Sequence, residues 1–65
     1  MFPIAKFEIG DILKLKLDTD FVEEGSEGTV IELVEGEYEY LYKVKFEFGE
    51  MEVEYDLYDD EVELI

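Results

Sequence analysis

Carboxylates are nearly the whole chemical repertoire of this chain. Its 65 residues include 20 Asp and Glu, five Lys and five Tyr, with no His, Cys, Arg or Trp. Without Cys there is no thiolate nucleophile, disulfide framework or Cys-based zinc site, and without His the side chain that titrates near neutrality is missing. Paired carboxylates can hydrolyse glycosides, but they need a cleft that holds a sugar between them. A 65-residue domain filled by its own side chains leaves little room for one. No enzymatic activity and no cofactor are expected. Asp18, Asp20, Glu23 and Glu24 offer oxygen ligands, as do Asp59, Asp60 and Glu61. A calcium-binding EF-hand loop needs ligands at alternating positions, Gly at the sixth and Glu at the twelfth. Counted from Asp18, Val22 takes the third ligand position, Glu23 the glycine and Thr29 the closing Glu. The pattern fails, and no metal site is expected.

The charge narrows the partners. The formal net charge is −15. Duplex DNA and RNA are excluded as direct ligands, because binding them relies on Lys and Arg neutralising phosphates. Anionic membrane surfaces are disfavoured for the same reason. No apolar run approaches the ~18 residues that span a bilayer, and the opening residues lack a basic segment followed by an apolar core. A soluble, cytoplasmic protein is the expectation. Disorder does not fit, because 48% of the residues are hydrophobic and 15% aromatic and they fall in period-2 order. A domain this small buries only about 60% of the surface that its unfolded chain exposes. Mutual repulsion among the carboxylates lowers its stability further. The thermal unfolding midpoint is therefore expected to rise from low to moderate NaCl, and a flat response in a calorimetric salt series would contradict that account.

The elements follow from the punctuation. Gly10-Asp11 precedes a half-buried strand over 12–17, with Leu13, Leu15 and Leu17 alternating with Lys14 and Lys16. Residues 18–27 form a polar loop around Phe21 and Val22. A second strand, rich in β-branched residues, covers 28–34, and Glu35-Gly36-Glu37 turns the chain. The third strand, 38–48, places Tyr40, Tyr42, Val44, Phe46 and Phe48 on one face and Leu41, Lys43, Lys45 and Glu47 on the other. Gly49-Glu50 reads as a type II′ hairpin turn. The fourth strand then turns Met51, Val53, Tyr55 and Leu57 inward and Glu50, Glu52, Glu54 and Asp56 outward. This pairing sets Lys45 opposite Glu54 and Lys43 opposite Asp56. A tight turn at 58–60 and a closing strand at 61–65 complete one domain over 1–65, in which 1–6 read as a loose lead. Five short strands without helical periodicity indicate an all-β fold: a small five-stranded antiparallel barrel, whose closure would remove exposed edges.

Phe7-x-x-Gly10-Asp11-x-Leu13, Gly25-x-x-Gly28-x-Val30 and the closing Glu61-Val62-Glu63-Leu64 together resemble the SH3-like barrel group. The Gly25/Gly28/Val30 stretch is similar to the KOW motif of ribosomal proteins and transcription elongation factors. The layout from Phe7 to Ile65 also looks like the photosystem I subunit IV barrel and several small bacterial and phage proteins of unknown function. The resemblance implies an SH3-like barrel in which the two glycines allow positive φ or close backbone approach. KOW modules contact RNA through basic loops, whereas the matching loop here is acidic. Signalling SH3 domains grip Pro-rich peptides with a groove that normally includes Trp, and this chain has none.

The acidic residues are unevenly spread. Residues 18–39 hold nine and residues 46–65 another nine, with no basic residue in either span. Outward carboxylates two apart on a strand lie about 6.6 Å from one another. That is about half the axial charge density of a nucleic-acid strand, with a charge about every 3.4 Å. The stripe Glu50, Glu52, Glu54, Asp56 alone therefore reads as a solvated face. Glu outnumbers Asp 14 to 6 and bulky apolar residues are abundant, which points away from a salt-adapted surface. The expected function is a non-enzymatic acidic module that binds a basic protein surface. Its sharper form is a phage-type inhibitor that mimics nucleic acid, with a structural or accessory subunit of a larger assembly as the alternative. The candidate partner-binding residues are Asp18, Asp20, Glu23, Glu24 and Glu27 in the first loop, with Phe21 as apolar anchor, and Asp56, Asp59, Asp60 and Glu61 near the C-terminus. Their role would be to accept hydrogen bonds from Lys and Arg. Tyr38 and Tyr58 are further anchor candidates.

Overall fold

Period-2 alternation builds five strands, seen in a computed structural model that describes residues 4–65. They are β1 (Ile12–Leu15), β2 (Glu27–Glu35), β3 (Tyr40–Phe48), β4 (Met51–Tyr58) and β5 (Val62–Leu64), with a single 3₁₀ turn, η1 (Asp59–Glu61), between the last two. All neighbours pair antiparallel in one sheet of order β4-β3-β2-β1-β5. β4 and β5 are its edges, so the hydrogen-bonded ladder does not close into the expected barrel. No helix among the described residues is long and apolar enough to cross a membrane.

One irregularity sets the faces of the sheet. Val30 pairs with Val44 and Glu32 with Lys43, so Ile31 is an extra residue on β2. Such a bulge shifts the alternation by one. Before it Gly28 and Val30 point inward; after it Leu33 packs on the core while Glu32 and Val34 face out. Buried Leu13, Leu15, Val22, Val30, Tyr42, Val44, Phe46, Leu57 and Val62, with Phe7 over one end, form a single core. The rings of Phe7 and Tyr42 meet edge to face at 5.1 Å, and those of Phe46 and Tyr55 at 6.4 Å. Edge-to-face pairs add about 0.5–1.5 kcal/mol beyond the area they bury.

The two glycines of the Gly25-x-x-Gly28 stretch divide the roles expected of them. Gly25 takes the positive φ, 93°, while a Cβ on Gly28 would meet β3 at under 3 Å. The Gly49-Glu50 turn joins Phe48 to its partner Met51, with φ 62° at Gly49 and no positive φ at Glu50, as a type II′ turn requires.

Several boundaries differ from the sequence reading. β1 stops at Leu15 rather than Leu17, because Lys16 N–H turns to donate to Glu61 O (2.9 Å) at the head of β5. The β2–β3 connection extends through Glu39, where Gly36 N–H donates to Glu39 O, so Tyr38 belongs to a loop rather than a strand. Phe48 and Met51 are exposed, because pairing of β3 with β2 ends at Lys45 and the hairpin tip projects beyond it. Of the N-terminal lead, residues 1–3 lie outside the described residues. Ala5 packs against the core and Lys6 N–H donates to Tyr42 Oη at 2.9 Å, so the segment is anchored there. That contact separates two tyrosines. Tyr55 Oη is buried and has no hydrogen-bond partner among the described residues. An unsatisfied buried hydroxyl costs about 1–3 kcal/mol, and an ordinary hydrogen bond contributes about 1 kcal/mol. Tyr42→Phe is expected to lower stability by about 1 kcal/mol, and Tyr55→Phe to leave it unchanged or raise it by about 1 kcal/mol, in urea unfolding. Equal losses from the two would contradict this.

Candidate functional site

The loop from residue 16 to residue 26 is a hydrogen-bonded scaffold. Thr19 Oγ1 donates to Val22 O (3.0 Å) and accepts from Val22 N–H (2.9 Å), and Thr19 N–H donates to Val22 O (2.8 Å). This turn drives Val22 into the core and leaves Asp20 and Phe21 at its outer tip, with Phe21 74% exposed. A hydroxyl bonded to backbone a few residues on is a common way to fix such a turn. Asp18 Oδ1 accepts from Glu24 N–H at 2.8 Å, and Ser26 N–H donates to Glu23 O at 3.1 Å. Gly25 N–H bonds Leu15 O and Leu15 N–H bonds Ser26 O, which closes the base of the loop onto β1.

These bonds sort the nominated carboxylates. Asp18 uses one oxygen to hold its own loop. Glu27 is not in the loop, since it opens β2 opposite Lys14. Asp20, Glu23 and Glu24 are exposed, and their side chains have no hydrogen-bond or ion-pair partner among the described residues. In the C-terminal group, Glu61 Oε1 accepts from Tyr58 N–H at 2.8 Å and so stabilises η1, while Asp59 lies 3.6 Å from Lys6 Nζ. Asp60 is exposed and unpaired among the described residues. The Lys16–Glu61 backbone bond joins η1 to the start of the loop. Asp56 sits apart, on the outer face of β4 opposite Lys43.

That outer face carries two cations among its carboxylates. Lys45 faces Glu54 and Lys43 faces Asp56 in register, as the hairpin turn predicts, but the ion pairs close elsewhere. Lys43 Nζ lies 3.3 Å from Glu32 Oε2 on β2, and Lys45 Nζ lies 3.3 Å from Glu52 Oε1 and 3.6 Å from Glu47 Oε1. The carboxylate of Glu32 raises the Lys43 pKa above its ordinary value, with Asp56 adding to it, and that of Glu52 raises Lys45. Raised amines favour the folded state below their unfolded pKa, about 10.4, and lose that contribution as pH climbs through the raised value. Both lysines thus stay charged through the neutral range. Exposed pairs of this kind contribute little to stability. Their effect is on the field: Glu32, Glu47 and Glu52 on the strands have a cation within ion-pair distance, and Asp20, Glu23 and Glu24 of the loop have none among the described residues.

At the opposite end of the same face, β2, β3 and β4 set Val34, Leu41 and Tyr58 in one cross-strand row. With Gly36, Glu37, Tyr38 and Glu39 of the adjoining loop they line an open depression of about 210 Å³. Tyr38 and Tyr58 were legible as anchor candidates, but Val34, Leu41, Glu37 and Glu39 were not. The bulge at Ile31 turns Val34 outward, and bulges leave no mark in the alternation of a β-branched run. Among the described residues, no three His, Cys, Asp or Glu side chains gather as a metal site would require. The chain matches no protein-family model, no curated protein and no solved structure.

Proposed function

We propose that this chain is a non-enzymatic acidic module that docks on a basic surface of another protein. One observation carries the reading: Asp20, Glu23, Glu24 and Asp60 stand exposed and unpaired among the described residues, on two hydrogen-bonded turns that the Lys16–Glu61 backbone bond links, with the exposed ring of Phe21 next to Asp20 in the chain. Carboxylates carried on fixed turns accept charge-assisted hydrogen bonds from Lys and Arg without the further cost of ordering the backbone. A net charge of −15 adds long-range attraction that speeds encounter with a cationic partner. The fold is read as SH3-like: the order β4-β3-β2-β1-β5 and the 3₁₀ turn between β4 and β5 support that assignment. Fold alone carries no activity, so the function rests on the acidic surface.

In its sharper form the module is an inhibitor that occupies the nucleic-acid site of its partner. Competition tests it. The bound partner is challenged with duplex DNA, RNA and a neutral polymer at fixed ionic strength. Displacement by nucleic acid alone is the expected result. A complex that persists at saturating duplex and RNA would overturn mimicry and favour an accessory subunit.

A further inference from the structure

We propose that the depression lined by Tyr38 and Tyr58 receives an arginine side chain of the basic partner, an inference that rests on the docking role above and gives it a second contact point. Three features of the depression agree. Its floor is apolar, formed by the outward row Val34 and Leu41. Its walls include two tyrosines, of which Tyr38 is 85% exposed. Glu37 and Glu39 also line it, and no lysine does. An arginine fits each feature at once. Its aliphatic stem covers apolar surface, its guanidinium is attracted to tyrosine faces, and its planar fork meets carboxylates two bonds at a time. An aliphatic side chain would use the floor alone and leave the carboxylates beside an apolar group. A lysine ammonium is more strongly hydrated, so it loses more on entering a partly open site. Nine carboxylates and no base between residues 18 and 39 leave the charge of Glu37 and Glu39 without a cation in their own segment.

The volume suits one side chain rather than a peptide groove. At about 210 Å³ the depression falls below the range of ~300–1,000 Å³ usual for small-molecule pockets. Its place next to η1 through Tyr58 lets one partner surface span both the depression and the acidic turn.

The test is a titration of the full chain, labelled with ¹⁵N, with three blocked single-residue amides, of arginine, lysine and norleucine, at constant ionic strength. The expected result is a saturable shift confined to residues 34–41 and Tyr58 with arginine, at least threefold weaker with lysine and absent with norleucine. Tyr38→Ala should weaken the arginine response at least fivefold, with Tyr38→Phe restoring most of it. Both exchanges fall on an exposed loop, and an unchanged spectrum elsewhere verifies folding. Shifts spread over all carboxylates, an equal response to norleucine, or an arginine response untouched by Tyr38→Ala would each overturn the proposal. The Asp20→Asn/Glu23→Gln/Glu24→Gln/Asp60→Asn variant separates the two ideas. It should keep the local arginine response while binding the partner about 100-fold more weakly. That weakening without any local arginine response in the parent chain sinks the depression and leaves the acidic surface standing.

Discussion

Gly28→Ala is expected to lower stability by about 3 kcal/mol and to bring the chain close to its unfolding midpoint at 25 °C. A Cβ at this position would lie 2.6 Å from Val44 Cγ1, 2.9 Å from Lys45 O and 2.9 Å from Phe46 Cδ1. The carbonyl is part of the β2–β3 sheet and cannot swing aside, and Val44 and Phe46 are fully buried. Relief would require β2 to move off β3, yet β2 is also held by β1, where Leu13 pairs with Gly28 itself. Overpacking usually costs 1–3 kcal/mol, and with backbone in the way about 3 kcal/mol is the fitting figure here. A single core of this size supplies only about 3–5 kcal/mol. The loss therefore removes most of the margin. Gly25→Ala is the contrasting case, because φ is 93° but nothing lies within 4 Å of the added carbon. Its cost is the left-handed backbone alone, about 1–2 kcal/mol. Circular dichroism melts of the two variants side by side check the ordering. A native-like melt for Gly28→Ala would mean that the close approach of β2 to β3 does not constrain the fold.

Gly28 also marks what could be read from the sequence and what could not. The alternation of Leu13 and Leu15, of Tyr42, Val44 and Phe46, and the Gly49-Glu50 turn identified strands and the β3–β4 register, because a buried face punishes any one-residue slip. Thr19, Asp20, Phe21 and Val22 were visible as a loop around two apolar residues. Which of the two enters the core was not. It is decided by the Thr19 hydroxyl gripping Val22, a contact of a few residues' reach that periodicity does not encode. The ends failed for a different reason. Phe48 and Met51 obey the alternation, but β2 is too short to lie beside them, and strand length is a property of the partner. The ion pairs of Lys43 and Lys45 show the same limit. Register gave the residues opposite, while long side chains chose Glu32 and Glu52, one strand over or diagonal. For the candidate site, all nine carboxylates were visible as charges, yet Asp18 and Glu61 turn out to bond backbone, and Glu27 belongs to β2. The bulge at Ile31, invisible in advance, is what builds the apolar row beside Tyr38.

Neutralising the unpaired loop carboxylates is expected to weaken binding to the basic partner by about 100-fold, a loss of about 2.7 kcal/mol. The variant is Asp20→Asn/Glu23→Gln/Glu24→Gln/Asp60→Asn. Each exchange removes a charged acceptor exposed in the free protein, and hydrogen bonds to charged groups contribute about 1.5–3 kcal/mol where they are shielded and less at a wet rim. Four partly shielded bonds account for the figure. The control variant, Glu8→Gln/Glu50→Gln/Glu54→Gln/Glu63→Gln, removes the same charge from positions outside the proposed surface. Long-range attraction depends on total charge, so both variants should lose a similar fraction of the association rate. Only the loop variant should also dissociate faster, and its affinity should fall less steeply with salt. Equal weakening by the two would mean that the partner senses net charge alone and that the loop is no site. Unfolding cannot mimic the expected difference. Removing four like charges relieves self-repulsion in both variants, and none of the eight side chains makes a hydrogen bond or ion pair among the described residues. Both should melt at or above the parent temperature, so that a loss of binding confined to the loop variant is a loss of contacts.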